Sequence, residues 1–206
     1  MDLAEIVEMD RSSYRRAAKI VQEGGLVVYP TDTVYGLGCD PFNEAAVSRL
    51  FAAKGRSSKP VPVLCSSPEK ASELVELGPR AMKLAAEFWP GALTIVAPLR
   101  KRLPIQLTQG SPKLGVRVPA LDVCLELISS CGGFLTGTSA NLSGRPSART
   151  ASEASDQLGR RVDLILDGGR LEGKESTVVE VVGDRVTILR TGPIGVGDEV
   201  KGRRTS

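Results

Sequence analysis

Short apolar runs alternate with segments of helical period along nearly the whole chain, and this alternation is the strongest constraint on its fold. Residues 12–23 place Tyr14, Ala17, Ala18 and Val21 on one helical face, and Gly24-Gly25 end that helix. The apolar run at 26–29 reads as a strand. Asn43 is placed to cap a helix over 44–53 whose inner face carries Val47, Leu50 and Phe51. Further strands are predicted at 61–65, 92–97, 115–118, 134–138 and 162–166. Helices begin at Ser67-Pro68, at Pro79 and near Leu121, and a short one precedes 162. Near the C-terminus, 177–182 and 185–189 flank Gly183-Asp184, a two-residue hairpin turn, so the sheet cannot be wholly parallel. The 206 residues hold no internal repeat and no long linker. They read as one α/β domain over 1–195, a twisted mixed parallel/antiparallel sheet flanked by helices, with a mobile tail over 196–206.

Composition narrows the chemistry. Apolar residues make up 41% and charged residues 25%, as in soluble globular proteins. No apolar stretch approaches the roughly 20 residues that cross a bilayer. The acidic start MDLAEIVEMD lacks the plan of a signal peptide, so a cytoplasmic protein with no membrane partner is expected. A net charge of +3 suits anionic ligands such as nucleotides but is weak for a dedicated nucleic-acid binder. The four cysteines form no CxxC pair and read as reduced core residues. Histidine is absent, which removes Ser-His-Asp and Cys-His catalysis and the common zinc sites. Chemistry must run on Lys, Arg, carboxylates, hydroxyls and a hard cation.

Several segments carry such groups. YPTDTVYGLGCD (29–40) follows an apolar run with hydroxyls, an acid and two glycines, a loop suited to a small polar ligand. Lys54 extends the buried face of the 44–53 helix, and Arg56 and Lys59 follow in KGRSSKP; three cations at a helix end favour a polyanion, or else form a solvated basic loop. TGTSANLSGRPS (136–147) offers small hydroxyl and amide groups and free backbone N–H groups to phosphate and ribose, or is an ordinary polar turn. Arg117 lies among core residues in LGVRVP, and its charge needs an anion, an internal acid or a ligand carboxylate. The segment GGRLEGKE (168–175) approaches the phosphate loop GxxxxGK[ST] but puts Glu175 where the magnesium-binding hydroxyl belongs, so it reads as a chance match.

Taken in order, YPTDTVYGLG (29–38), KGR with its trailing KP (54–60), WPGALT (89–94), GVRVP (115–119), TSANLSGRPS (138–147), ESTVVEV (175–181) and ILRTG (188–192) resemble the YrdC family of threonylcarbamoyl-AMP synthases. The resemblance runs from about residue 15 to 195. It implies a nucleotidyltransferase that joins L-threonine, bicarbonate or carbon dioxide and ATP into threonylcarbamoyl-AMP and releases pyrophosphate. The product serves N6-threonylcarbamoyladenosine modification of tRNA beside the anticodon, through a threonylcarbamoyl-transferring protein or complex. By similarity, Thr33, Tyr35, Arg117 and Ser176 hold threonine, with Arg117 on its carboxylate. Lys54, Arg56, Lys59, Ser139, Asn141, Ser147 and Arg190 hold ATP, with Lys54 and Arg56 in the catalytic role. Gly36 and Gly38 let the backbone pass close to the amino acid. Magnesium is expected with ATP, held through the phosphates, with no metal ligand assigned to the protein. The attacking carboxylate is already an anion, so the missing histidine is no obstacle.

The sequence departs from the family in places. Leu64 stands where many relatives carry a histidine, and Gly137 where they often carry threonine or serine. Some relatives add a C-terminal domain, which a chain ending at Ser206 is not expected to contain. Two other readings are open: a double-stranded RNA or tRNA-binding module without turnover, and a relative that forms carbamoyl-adenylate. Scattered basic residues and 4% aromatics weigh against the first, and the lack of zinc-binding and acylphosphatase segments against the second.

Overall fold

Local signals place most elements where the periodicity puts them. In a computed structural model of the protein, which describes residues 3–55, 59–196 and 200–201, β1 (Glu5–Glu8) leads into α1 (Arg11–Gln22). Asp10 caps α1 in a capping box with Ser13, and Tyr14, Ala17, Ala18 and Val21 form its buried face. After β2 (Val27–Tyr29) and β3 (Gly36–Gly38), the Asn43 side chain accepts from the Ala46 amide and starts α2 (Glu44–Ala53). There follow β4 (Val63–Cys65), α3 (Pro68–Leu74), α4 (Pro79–Phe88), β5 (Leu93–Pro98), α5 (Ile105–Thr108), β6 (Lys113–Arg117) and α6 (Asp122–Ser130). The chain continues with β7 (Phe134–Thr136), β8 (Thr138–Ser139), α7 (Ala151–Leu158), β9 (Leu164–Asp167), β10 (Thr177–Val182), β11 (Arg185–Arg190) and β12 (Val200–Lys201). The expected tail thus contributes a short strand parallel to β11, and 197–199 and 202–206 lie outside the described residues.

The α/β reading holds, but the strands form two mixed sheets where the sequence led us to expect one. A five-stranded sheet has the order β1-β9-β2-β3-β8 and a seven-stranded one the order β12-β11-β10-β5-β6-β4-β7. The split occurs inside the stretch read as one strand over 134–138. β7 pairs with β4 in the larger sheet, and β8 pairs with β3 in the smaller. Gly137 alone lies between them, and a Cβ there would stand 2.6 Å from Leu64 Cγ. A bulkier residue could not make this crossing against Leu64 in place.

Two apolar clusters hold the sheets together. The larger gathers Leu26, Val28 and Ile165 with α2, α7 and the inner face of the larger sheet. The smaller joins α1 and α6 to Val27, Tyr29, Leu64, Leu135, Leu164 and Leu166. Gly36 and Gly38 belong to this packing. A Cβ on either would stand 2.9 Å or less from the Tyr29 ring, so these glycines make room for Tyr29. Gly36 also lines a cavity where the sheets meet. Cys39, Cys65 and Cys124 are buried free thiols and Cys131 a half-buried one, and burial pushes the Cys39 thiol up to about 12. Among the described residues no helix is long and apolar enough to cross a membrane.

Candidate functional site

Where the sheets meet, a cavity of about 390 Å³ opens, lined by the loop after β2, the end of α2, the strand ends of β5 and β6, the loop after β8 and the start of β10. Its size is that of a small-molecule site.

One end is built around Arg117. Its Nε donates to Gly91 O at 2.9 Å, its Nη1 to Thr33 Oγ1 at 3.1 Å, and its Nη2 to Asp32 Oδ1. Asp32 is therefore the internal anion that this buried arginine requires. Hydrogen bonds to described residues account for three of its five N–H groups. The WPG turn of residues 89–91 serves this contact: Gly91 N donates to Val118 O while Gly91 O faces Arg117. Thr31 shapes the opposing loop. Its hydroxyl donates to Val34 O at 2.7 Å, accepts from the Thr33 and Val34 amides, and lies 2.9 Å from Thr33 Oγ1. Beside them, Ser176 Oγ lies 2.8 Å from Thr94 Oγ1. The result is a row of hydroxyls next to a guanidinium, suited to a carboxylate and small polar groups.

The other end holds Lys54, which is 5% exposed. Its Nζ donates to Ser139 O at 2.6 Å, Asn141 Oδ1 at 2.9 Å and Asn141 O at 3.1 Å. All three ammonium protons have acceptors in the 139–141 loop. Burial lowers the Lys54 pKa to about 8, against the opposing charge of Glu175. The ammonium is charged at neutral pH, and it shapes this loop as well as giving the cavity positive charge. Ser139 Oγ donates to Asn141 Oδ1 at 2.7 Å, and Asn141 Nδ2 donates to Arg145 O. Lys59 also lines the cavity. Arg56 lies outside the described residues.

Arg190, at the end of β11, closes the rim. Its Nε donates to Ser176 O and its Nη2 to Ser176 Oγ, both at 3.0 Å, and its Nη1 donates to Glu175 Oε2 at 2.5 Å. Ser147 is not among the lining residues; its hydroxyl donates to Glu175 Oε1 at 2.6 Å. Burial lowers the Arg190 pKa, and Glu175 again opposes the shift.

The predicted residues thus converge, with instructive exceptions. Tyr35 lines the cavity, but its hydroxyl donates to Gly169 O at 2.7 Å and accepts from Gly168 N at 3.0 Å, and burial raises its pKa to about 12. It fastens the start of the 168–175 segment. That segment is the near-match to a phosphate loop, and it packs tightly on the Thr33 loop: a Cβ on Gly173 would stand 2.3 Å from Thr33 O. Gly173→Ala is expected to push the Thr33 loop aside and destabilise the protein by about 1–3 kcal/mol, measured by urea unfolding. Leu64 forms an apolar patch of the wall next to Gly137. Sequence reasoning missed Thr31, Thr94 and the contacts of Glu175. Thr94 had a signal in WPGALT, whose last position is the threonine facing Ser176.

Comparisons with known proteins identify the family. A family model named Sua5_yciO_yrdC, described as "Telomere recombination", matches residues 19–192. The chain belongs to the Sua5/YciO/YrdC family. Within the family, it is 39% identical over 181 residues to a threonylcarbamoyl-AMP synthase of Pyrococcus abyssi, covering 86% of this chain and 53% of that protein. It is 40% identical over 163 residues to a threonylcarbamoyl-AMP synthase of Halorhodospira halophila, covering 78% and 85%. The crystal structure of P. abyssi Sua5 complexed with L-threonine superposes with a TM-score of 0.88 at 36% identity, covering 92% of this chain and 58% of that one. The chain therefore spans little more than half the length of the Pyrococcus protein.

Proposed function

We propose that the protein is a threonylcarbamoyl-AMP synthase: it carboxylates the amine of L-threonine with bicarbonate or carbon dioxide and transfers the resulting carboxylate to the adenylyl group of ATP. The carrying observation is that two hydrogen-bonded groups of side chains line one cavity. Arg117 with Thr33 and Ser176 with Thr94 form one, and Lys54, Ser139 and Asn141 the other. In this reading Arg117 holds the threonine carboxylate with its remaining N–H groups, and the hydroxyls of Thr33, Ser176 and Thr94 orient the amino acid. The N-carboxylate oxygen forms a bond to the α-phosphorus as the bond to the pyrophosphate oxygen breaks. Carboxylation of the free amine by carbon dioxide releases its proton to solvent. The carboxylate so formed is already ionised, so its attack on the α-phosphorus needs no general base and rests on alignment and charge neutralisation. Lys54, Lys59, Arg190 and Arg56 supply that charge.

Magnesium enters with the nucleotide. Glu175 is the one carboxylate among the described lining residues, and no group of three or more His, Cys, Asp or Glu side chains that could hold a metal occurs among the described residues. In this reading the ion is carried on the phosphates, where it neutralises their charge. The adenylate would then pass to a transferring protein or complex that modifies tRNA.

The test is incubation with ATP, magnesium, bicarbonate and threonine, followed by mass measurement of the adenylate. Threonine-dependent pyrophosphate release supports the reading. Its absence, with salt-sensitive RNA binding in its place, defeats it. The Lys54 ammonium adds a pH signature. Phosphate binding raises its pKa, so affinity is full below the ligand-free value of about 8 and falls as pH rises through it. Titration of a non-hydrolysable ATP analogue between about pH 6.5 and 9.5 should show a flat limb followed by a decline, and Lys54→Met should remove the decline.

A further inference from the structure

Two side chains expected from the sequence to touch the nucleotide meet instead on one internal carboxylate. Ser147, in the loop before α7, and Arg190, at the end of β11, donate to the two oxygens of Glu175 at 2.6 Å and 2.5 Å. Arg190 is held on its other side by Ser176 O and Oγ. Its orientation is therefore fixed, and Nη1 is the arm that meets the carboxylate. A phosphate oxygen accepts from arginine and a hydroxyl in the same way as a carboxylate oxygen. Glu175 also stands against the character of its surroundings, as the one acid among the described lining residues beside Lys54, Lys59, Arg117 and Arg190.

We propose that Glu175 is an internal stand-in for a nucleotide phosphate, exchanged for it on binding. This rests on the reading that nucleotide phosphates enter this cavity. In the ligand-free protein, the carboxylate neutralises the rim and holds Ser147 and Arg190 in position. A polyanion with several charges displaces it, and a neutral ligand does not. Displacement is easy because the Arg190 and Glu175 side chains are 44% and 36% exposed, and such ion pairs are weak. When pyrophosphate leaves, Glu175 returns to its two donors and opposes rebinding. Glu175 thereby sets the preference of the site for highly charged ligands and limits inhibition by the released product.

Equilibrium binding of pyrophosphate, AMP and adenosine to the wild-type protein and to Glu175→Gln tests this. The variant is expected to bind pyrophosphate about three- to tenfold more tightly, AMP to a smaller extent, and adenosine unchanged, because only anions compete with the carboxylate. In the wild-type protein, the Arg190 Nε–H resonance should shift on addition of pyrophosphate and not of adenosine, a readout that does not depend on the variant folding. Pyrophosphate affinity that is unchanged or weaker in Glu175→Gln without magnesium overturns the proposal. A loss confined to magnesium-containing buffer also overturns it, since Glu175 would then be a metal ligand. A wild-type protein that binds pyrophosphate but forms no adenylate defeats the proposed reaction and leaves this exchange intact.

Discussion

Replacing Lys54 with methionine is expected to lower adenylate formation by at least a hundredfold and to destabilise the protein by about 1–3 kcal/mol. The two effects have different origins. Activity falls because a buried cation beside the expected phosphate position is lost, and one unit charge at about 4 Å is worth roughly 4 kcal/mol at an effective dielectric of 20. Stability falls because Ser139 O, Asn141 O and Asn141 Oδ1 lose the ammonium protons they share. Removing a buried charge returns part of its desolvation cost, so the loss is smaller than three orphaned acceptors would imply. The geometry makes the residue a support of the 139–141 loop as well. Pyrophosphate release and the thermal midpoint measure the two effects. Full activity in the variant would show that the phosphates lie elsewhere.

Arg117→Met is expected to cost about 3–5 kcal/mol, because Asp32, with a side chain 14% exposed, would lose the guanidinium it is paired with. For a chain of this length, the thermal midpoint should fall by about 6–20 °C. Threonine binding should be lost as well, since the carboxylate partner and the anchor of Thr33 disappear together. The double variant Arg117→Met with Asp32→Asn separates the two roles. It should regain much of the stability, because no unpaired charge remains, while threonine affinity measured by calorimetry stays at least a hundredfold weaker. Recovery of threonine binding in the double variant would remove Arg117 from the amino-acid subsite.

Helices and hairpin were legible because their signals are local. Asn43 and the apolar positions of 44–53 fix α2 to Glu44–Ala53, and Gly183-Asp184 joins β10 to β11. The short strands β1 and β3 escaped, since a four-residue run with exposed side chains and a Gly-Leu-Gly run carry almost no period. The site residues were legible as types. A hydroxyl-rich loop, a lysine on an apolar helix face and an arginine in an apolar strand each break the pattern around them. What those groups touch was not legible. Tyr35 reads as a ligand contact, and nothing in the sequence shows that its hydroxyl fastens Gly168 and Gly169, which lie more than 130 positions away.

By itself, the sequence determined the order of most helices and of the longer strands, the absence of histidine chemistry and a set of residues suited to an amino acid and a polyanion. Caps, periods and turn residues act within a few positions of one another, so their meaning survives in one dimension. Only the tertiary structure decided that Asp32 meets Arg117, that Glu175 stands between Ser147 and Arg190, and that the chain changes sheets at Gly137. These pairings depend on how the two sheets close on each other. A charge pair 85 residues apart has no spacing to read, and its partners are chosen by the low-dielectric space into which both are folded.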